Sequence, residues 1–274
     1  MIRSWLAERV LDYLAFAKQK RGKYRLAQIA SLLLDGVVVR SVYGPLLHCR
    51  FAGSTFWLAA RYGNNEVMNL LADLGPSDGF VDVGANIGLT TCFAASRGAV
   101  VLSFEPSSRE FTDLVGNTQL LNLQGSPPVC LSVAASDQAC FLSFRIGHLS
   151  HSGGNSLGAS RDPGDRDVIV QGIRLDEMLV ADSLAGWYGM QSAYLNCSLV
   201  VKIDVEGFEA SVLKGMERLL HEHRCRKVIV EENANRAKAF TGEQNLTTYM
   251  AKFGYVPTVH SAGRHHFDQC YVPA

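Results

Sequence analysis

The chain has 274 residues, 47% of them hydrophobic, and its 26 Lys and Arg balance 26 Asp and Glu at a pI near 7.1. Such a chain can bury a full core, while its even charge offers no long-range field for nucleic acid, which leaves selectivity to a local site. Seven scattered cysteines without short-spaced pairs read as reduced thiols in a cytoplasmic protein, and no apolar run is long enough to span a bilayer and no signal peptide is evident.

At the N-terminus, Leu6, Val10, Leu14, Ile29, Leu32 and Leu33 recur at helical spacing, interrupted near Arg21-Gly22-Lys23, which predicts two helices in an extension over residues 1–36. Through Arg25 this segment has seven basic residues (Arg3, Arg9, Lys18, Lys20, Arg21, Lys23, Arg25) against Glu8 and Asp12, a net +5. A solvated amphipathic face is the ordinary explanation, and peripheral membrane contact by residues 1–35 is the alternative. Residues 37–57 suggest short strands, followed by a helix over about 65–74.

From Gly79 onward the pattern changes. Short β-branched runs at 80–83, 100–104, 129–134, 199–205 and 227–230 alternate with helical segments. This is an α/β domain over residues 37–274 with a mostly parallel sheet and helices on both faces. Residues 139–174 break the alternation: two strands flank a glycine-rich loop, an inserted hairpin of a length that is often functional. Ligands of parallel sheets gather at the carboxyl ends of the strands.

The first such end is Val81-Asp82-Val83-Gly84-Ala85-Asn86-Ile87-Gly88, a buried strand running into a glycine turn and a helix. Glycines let a ligand approach the backbone. Asn86 stands where a dinucleotide fingerprint wants its middle glycine, so a pyrophosphate fits poorly. The next strand ends in Phe104-Glu105-Pro106, where a carboxylate can accept both ribose hydroxyls. The third ends in Ser136-Asp137, with Asp137 an acceptor for the exocyclic amine of a purine and a turn acid the plainer alternative. In the fourth, Lys202, Asp204 and Glu206 alternate where a central strand should be apolar. The readings there are a Lys202–Asp204 ion pair, with Glu206 or Glu209 stabilising the start of a helix over 208–220, or a catalytic group.

Asp82-Val83-Gly84-Ala85-Asn86-Ile87-Gly88, Phe104-Glu105-Pro106 and Lys202-Ile203-Asp204-Val205-Glu206-Gly207-Phe208-Glu209, followed by Val212-Leu213-Lys214-Gly215, together resemble the FkbM family of methyltransferases over roughly residues 65–255. The resemblance implies a class I, Rossmann-like methyltransferase that takes S-adenosyl-L-methionine and methylates hydroxyl oxygens of sugars, glycans or natural products. It implies further that Asp82, Gly84, Asn86 and Gly88 surround the methionyl part, Glu105 the ribose, and Ser136 and Asp137 the adenine. Asp204 then lies beside the transferred methyl group, and Glu66 helps to close the pocket.

An alcohol acceptor calls for a nearby base. The candidates are Asp204, Glu206 and His151, with His148 beside it in the inserted loop. Glu231-Glu232-Asn233 ends the fifth strand near Asp204 and could complete an oxygen-only magnesium site, although a polar rim that binds hydroxyls is the preferred reading. The competing functions are a nucleotide-dependent oxidoreductase, disfavoured by Asn86 and by the lack of a Tyr-x-x-x-Lys pair, and a catalytically inactive binding module.

Overall fold

A computed structural model describes residues 2–16, 22–51, 66–123, 126–146, 166–179, 197–233, 245–258 and 266–274. Two helices, α1 (Ile2–Phe16) and α2 (Lys23–Leu34), precede an antiparallel pair, β1 (Val38–Arg40) and β2 (Leu46–His48), as the sequence predicts. After α3 (Glu66–Leu70) come β3 (Asp78–Val83), α4 (Leu89–Ser96), β4 (Val100–Phe104), α5 (Ser108–Thr118) and β5 (Val129–Leu131). An accessory sheet holds β6 (Ala134–Ala135), β7 (Phe141–Ile146) and β8 (Arg166–Ile173). There follow α6 (Leu175–Leu179), β9 (Ser198–Ile203), α7 (Glu209–Lys214), α8 (Glu217–His221), β10 (Cys225–Asn233), α9 (Leu246–Ala251), β11 (Tyr255–Pro257) and β12 (His266–Pro273).

The main sheet runs β11-β12-β10-β9-β3-β4-β5, with β10, β9, β3, β4 and β5 parallel and β12 antiparallel between β10 and β11. All six residues of β3 are buried, Asp78 at its start and Asp82 within it included, as a central parallel strand covered on both faces requires of its apolar residues. The side chains alternate between two cores, as the period of a strand requires. Val81, Val83, Val201 and Ile203 pack with Leu175, Val212, Leu213 and Met216 on one face, and Phe80 and Val200 pack with Leu71, Leu74, Ala94 and Ala95 on the other. A third cluster joins α1 and α2 to Ile87, Leu89 and Cys92 of the domain, so the N-terminal extension shares the core of the sheet domain.

The predicted 129–134 strand splits at Ser132-Val133, because Ala134 and Ala135 leave the main sheet to pair with Gly172 and Ile173. The inserted hairpin is present, with Phe141 opposite Gln171 and Ile146 opposite Arg166; its loop lies outside the described residues. The single helix expected over 208–220 is two. A side chain at Gly215 would collide with the Ser136 carbonyl, and the Gly215 carbonyl accepts from Asp176 N. Asp176 in turn accepts from Arg218 N and Leu219 N, each at 3.0 Å, and so restarts the helix. The fourth strand ends at Ile203, leaving Asp204 and Glu206 beyond it rather than on its face. The backbone turns there through left-handed Glu206 and Gly207. No disulfide joins any of the seven cysteines. Among the described residues no helix is long and apolar enough to cross a membrane.

Candidate active site

The strand order reverses between β3 and β9: the chain builds outward through β4 and β5 on one side and through β10 on the other. Crevices for ligands open at the carboxyl ends of strands at such a switch. Asp82 and Lys202 face each other in register across this junction, and Ser103 stands opposite Asp82 on its other side. Asp82 is fully buried. One of its oxygens accepts from the Thr90 and Thr91 hydroxyls, both at 2.7 Å. The other lies 3.4 Å from Lys202 Nζ and has no hydrogen bond. Asp82 thus clamps the first turn of α4 to the sheet, and its reach is to the turn rather than to open space.

Lys202 is the hub of this junction. Its Nζ donates to the Gly84 carbonyl at 3.1 Å and stands 3.3 Å from Asp204 Oδ2. Burial works against its charge, but the facing Asp204 and Asp82 carboxylates prevail and hold its ammonium above the ordinary lysine range. The predicted Lys202–Asp204 pair is present, and Asp82 makes it a triad.

The glycine turn is needed for close approach. Gly84 takes φ 79° and Gly88 φ 87°. The Gly84 and Ala85 amides both donate to the Phe104 carbonyl at 3.0 Å. A Cβ at Gly84 would land on the Asp204 carbonyl oxygen, so the turn and the catalytic candidate touch through backbone alone. Asn86, at φ 51°, uses its side-chain oxygen to accept from Ile87 N at 2.9 Å, and its own amide donates to Glu105 Oε2 at 2.8 Å. Ser107 N donates to Glu105 Oε1 at 2.9 Å.

Glu105 is only 6% exposed. Loss of water pushes its carboxyl up to about 7, against the pull of the Ser107 and Asn86 amides. A carboxyl raised in the folded state favours folding most when it is protonated, and that advantage disappears as pH rises through the folded value. Relative to Glu105→Gln, the ligand-free protein is expected to lose stability as pH rises from 4.5 to about 7. Thermal melts of both proteins across that range check this; a constant difference between them would contradict the assigned environment.

Ser136 and Asp137 form a second group. The Ser136 hydroxyl donates to Asp137 Oδ1 at 3.2 Å and Ser211 of α7 donates to the same oxygen at 2.6 Å. The Ser211 bond in the first place holds the Asp137 carboxyl below the ordinary range. Glu66 opens α3, half-buried, next to Val67 of the Phe80 core. His148 and His151 lie outside the described residues.

Beyond β9, Asp204 N donates to the Val83 carbonyl at 3.0 Å, which carries the parallel pairing one residue past the strand. Glu231 reaches this point from β10, and single carboxylate oxygens of Asp204, Glu206 and Glu231 lie within 4.8 Å of one another. Burial, then the charges of Asp204 and Glu206 and a hydrogen bond to Asp204, push Glu231 far above the ordinary carboxylate range. Burial beside these two carboxylates thus favours the protonated form of Glu231 and a hydrogen bond between Glu231 and Asp204. Three carboxylates can also gather a hard cation. The sequence places Glu231 near Asp204 as part of a polar rim or as a metal donor; its hydrogen bond with Asp204 comes from the adjacency of β9 and β10. Thr90 and Thr91, which hold Asp82, Ser103, which bonds Thr91, and Ser211, which holds Asp137, carry no sequence signal beyond small hydroxyl residues near a turn.

The Methyltransferase FkbM domain matches residues 82–257, more than half of the chain. The chain belongs to the FkbM methyltransferase family. Its FkbM domain therefore begins at Asp82 and takes in the turn, Glu105, Lys202, Asp204 and Glu231, and it leaves out α1 and α2. A similar protein is the hexuronic acid methyltransferase AglP of Haloferax volcanii, 31% identical over 177 residues, or 63% of this chain and 63% of that protein. The chain thus matches under two thirds of that relative's length. Similar solved structures include magnesium protoporphyrin IX methyltransferase (ChlM) from Synechocystis PCC 6803 with bound SAM, at 11% identity, TM-score 0.40 and coverage of 98% and 97% of the two chains. Another is TYW2 of M. jannaschii in complex with AdoMet, at 12% identity, TM-score 0.36 and coverage of 85% and 84%.

Proposed function

We propose that this chain transfers a methyl group from S-adenosylmethionine to a hydroxyl oxygen of a sugar, a glycan or a related natural product. One observation carries the reading: at the switch point of an FkbM domain, Asp204 is a part-exposed carboxylate fixed from three directions, by Lys202 at 3.3 Å, by the Val83 carbonyl on its amide and by the abutting Gly84. The name of the similar AglP, a hexuronic acid methyltransferase, favours a sugar acceptor.

The donor set fits the cofactor. S-adenosylmethionine presents an ammonium, a sulfonium, a ribose diol and an exocyclic amine, all of which seek acceptors, and the crevice offers Glu105, Asp137 and Asp204. Glu105 spends one lone pair of each oxygen on an amide, and a carboxylate has about four, so two remain for the diol. The sulfonium supplies an already activated methyl group when bound, so the protein's work is alignment and removal of a proton. Asp204 accepts the proton of the acceptor hydroxyl, and its hydrogen bond with Glu231 steadies it. Lys202 holds Asp204 in line. The trio is read as a polar rim for hydroxyls rather than as a magnesium site, because the Lys202 ammonium already stands 3.3 Å from Asp204. A reducing cytoplasmic setting fits the seven thiols.

Calorimetry with S-adenosylmethionine and an acceptor screen read by mass spectrometry test the proposal. Glu105→Ala is expected to weaken donor binding by about tenfold, the loss of one strong hydrogen-bond acceptor. Equal affinity in both proteins would remove the ribose assignment. A gain of one methylene on a uronic acid or other sugar, undiminished in chelator, is the expected product; loss of turnover in chelator would instead make the acidic trio a cation site.

A further inference from the structure

The two N-terminal helices are apolar on both sides. Ala7, Leu11 and Leu14 of α1 and Ala27, Ala30 and Leu34 of α2 are buried in one cluster against Ile87 and Leu89. At about 100° per residue, Ile2, Leu6, Arg9 and Tyr13 occupy the opposite side of α1, and Arg25, Ile29 and Leu32 the opposite side of α2. These outward residues are exposed, Ile2 by 83% and Leu32 by 84%. Trp5 and Leu33 flank them, and the Arg9 guanidinium lies over the Trp5 ring at 5.7 Å. Seven of the eleven exposed large hydrophobic residues among the described residues belong to this hairpin. Helices apolar all round are covered on both sides in their working state. Arg3 donates to the Leu33 carbonyl at 2.7 Å, tying the start of one helix to the end of the other.

We propose that this hairpin docks on an anionic bilayer surface, with α1 and α2 lying among the headgroups. Charge selects this occupant over a second copy. The first 25 residues carry net +5 in a chain whose total is zero, so the remainder carries −5. A two-fold interface between these segments would bring two like-charged copies together, whereas anionic lipid attracts the segment and repels the acidic remainder, which also fixes the orientation. Trp5 and Tyr13 suit the boundary between headgroup and acyl chain, and Arg9 and Arg25 stand among the apolar side chains as in interfacial helices. The acidic flank of α1, Glu8 and Asp12 beside Trp5 and Arg9, does not reverse the sign. The hairpin lies before the FkbM domain, and the proposal stands independently of the methyl-transfer reading.

Flotation of the full chain with vesicles of phosphatidylglycerol and phosphatidylcholine, compared with phosphatidylcholine alone, tests it. The chain is expected to float with the anionic vesicles, to stay behind with the neutral ones, and to detach as salt rises. Ile29→Glu with Leu32→Glu is expected to lower partitioning by roughly a hundredfold through lost apolar burial. Arg9→Glu with Arg25→Glu is expected to do the same through charge alone, which decides the matter should the first variant misfold in circular dichroism. Equal binding to neutral vesicles, absence of flotation or indifference to the arginine pair would overturn the proposal. So would a dimer in analytical ultracentrifugation that Leu32→Glu dissociates.

Discussion

Lys202→Met is expected to destabilise the protein by about 3–5 kcal/mol, the range for removing one partner of a buried ion pair, and to abolish measurable methyl transfer. Methionine keeps the length of the side chain and leaves the core filled, so the loss is electrostatic. The Asp82 carboxylate, with no exposure at all, would face an uncharged thioether with one oxygen already lacking a hydrogen bond. The Gly84 carbonyl would lose its donor at 3.1 Å and Asp204 its cation at 3.3 Å. The same substitution therefore loosens the sheet, the turn and the base together. Because the ammonium is held above the ordinary lysine range, its contribution is fully present at neutral pH and disappears only as strongly alkaline pH passes the folded value. Urea denaturation at neutral pH measures the effect. Asp82→Asn combined with Lys202→Met removes both buried charges and is expected to recover part of the loss; strict additivity of the two single changes would mean that the pair does not interact.

The parallel sheet is legible in the sequence because its central strands are buried on both faces. The runs at 80–83 and 100–104 and the charged 199–205 segment coincide with β3, β4 and β9 to within two residues. The position of Glu105 at the carboxyl end of a buried strand is legible for the same reason. What the sequence hides depends on contacts between distant segments. Gly215 looks like an ordinary helix residue until the Ser136 carbonyl is placed against it. Asp82 looks like a ligand group until Thr90, Thr91 and Lys202 are seen to surround it. Period-two alternation put Lys202, Asp204 and Glu206 on one strand face, but left-handed Glu206 and Gly207 end the regular backbone first. The upward push on the Glu231 carboxyl follows from burial and from the Asp204 and Glu206 charges beside it, which the sequence does not supply even where it places Glu231 near Asp204.

Gly84→Ala is expected to lower kcat by about a hundredfold, the cost of displacing a reacting group by on the order of 1 Å. The new Cβ would meet the backbone carbonyl of Asp204, which no rotamer change can move aside, and the residue would keep a left-handed φ of 79° that alanine resists. Two relaxations are open. The turn can retreat from β9, which breaks the paired bonds of the Gly84 and Ala85 amides to Phe104, or Asp204 can retreat, which breaks its amide bond to Val83 and draws its carboxylate off Lys202. Either way the Glu105 side and the Asp204 side of the crevice separate. Gly88→Ala is the informative comparison, because it has the same handedness of backbone, φ 87°, but the atom its Cβ would crowd is the Leu114 Cδ1 methyl at 2.6 Å, a side-chain end rather than backbone. A leucine end can rotate away, so Gly88→Ala is expected to lose roughly 1–3 kcal/mol of stability while keeping kcat within a few-fold of the parent. Steady-state kinetics at saturating donor, with thermal melts alongside, separates the two. Equal kcat losses in both variants would mean that turn strain, and not the contact between Gly84 and Asp204, sets the alignment of the site.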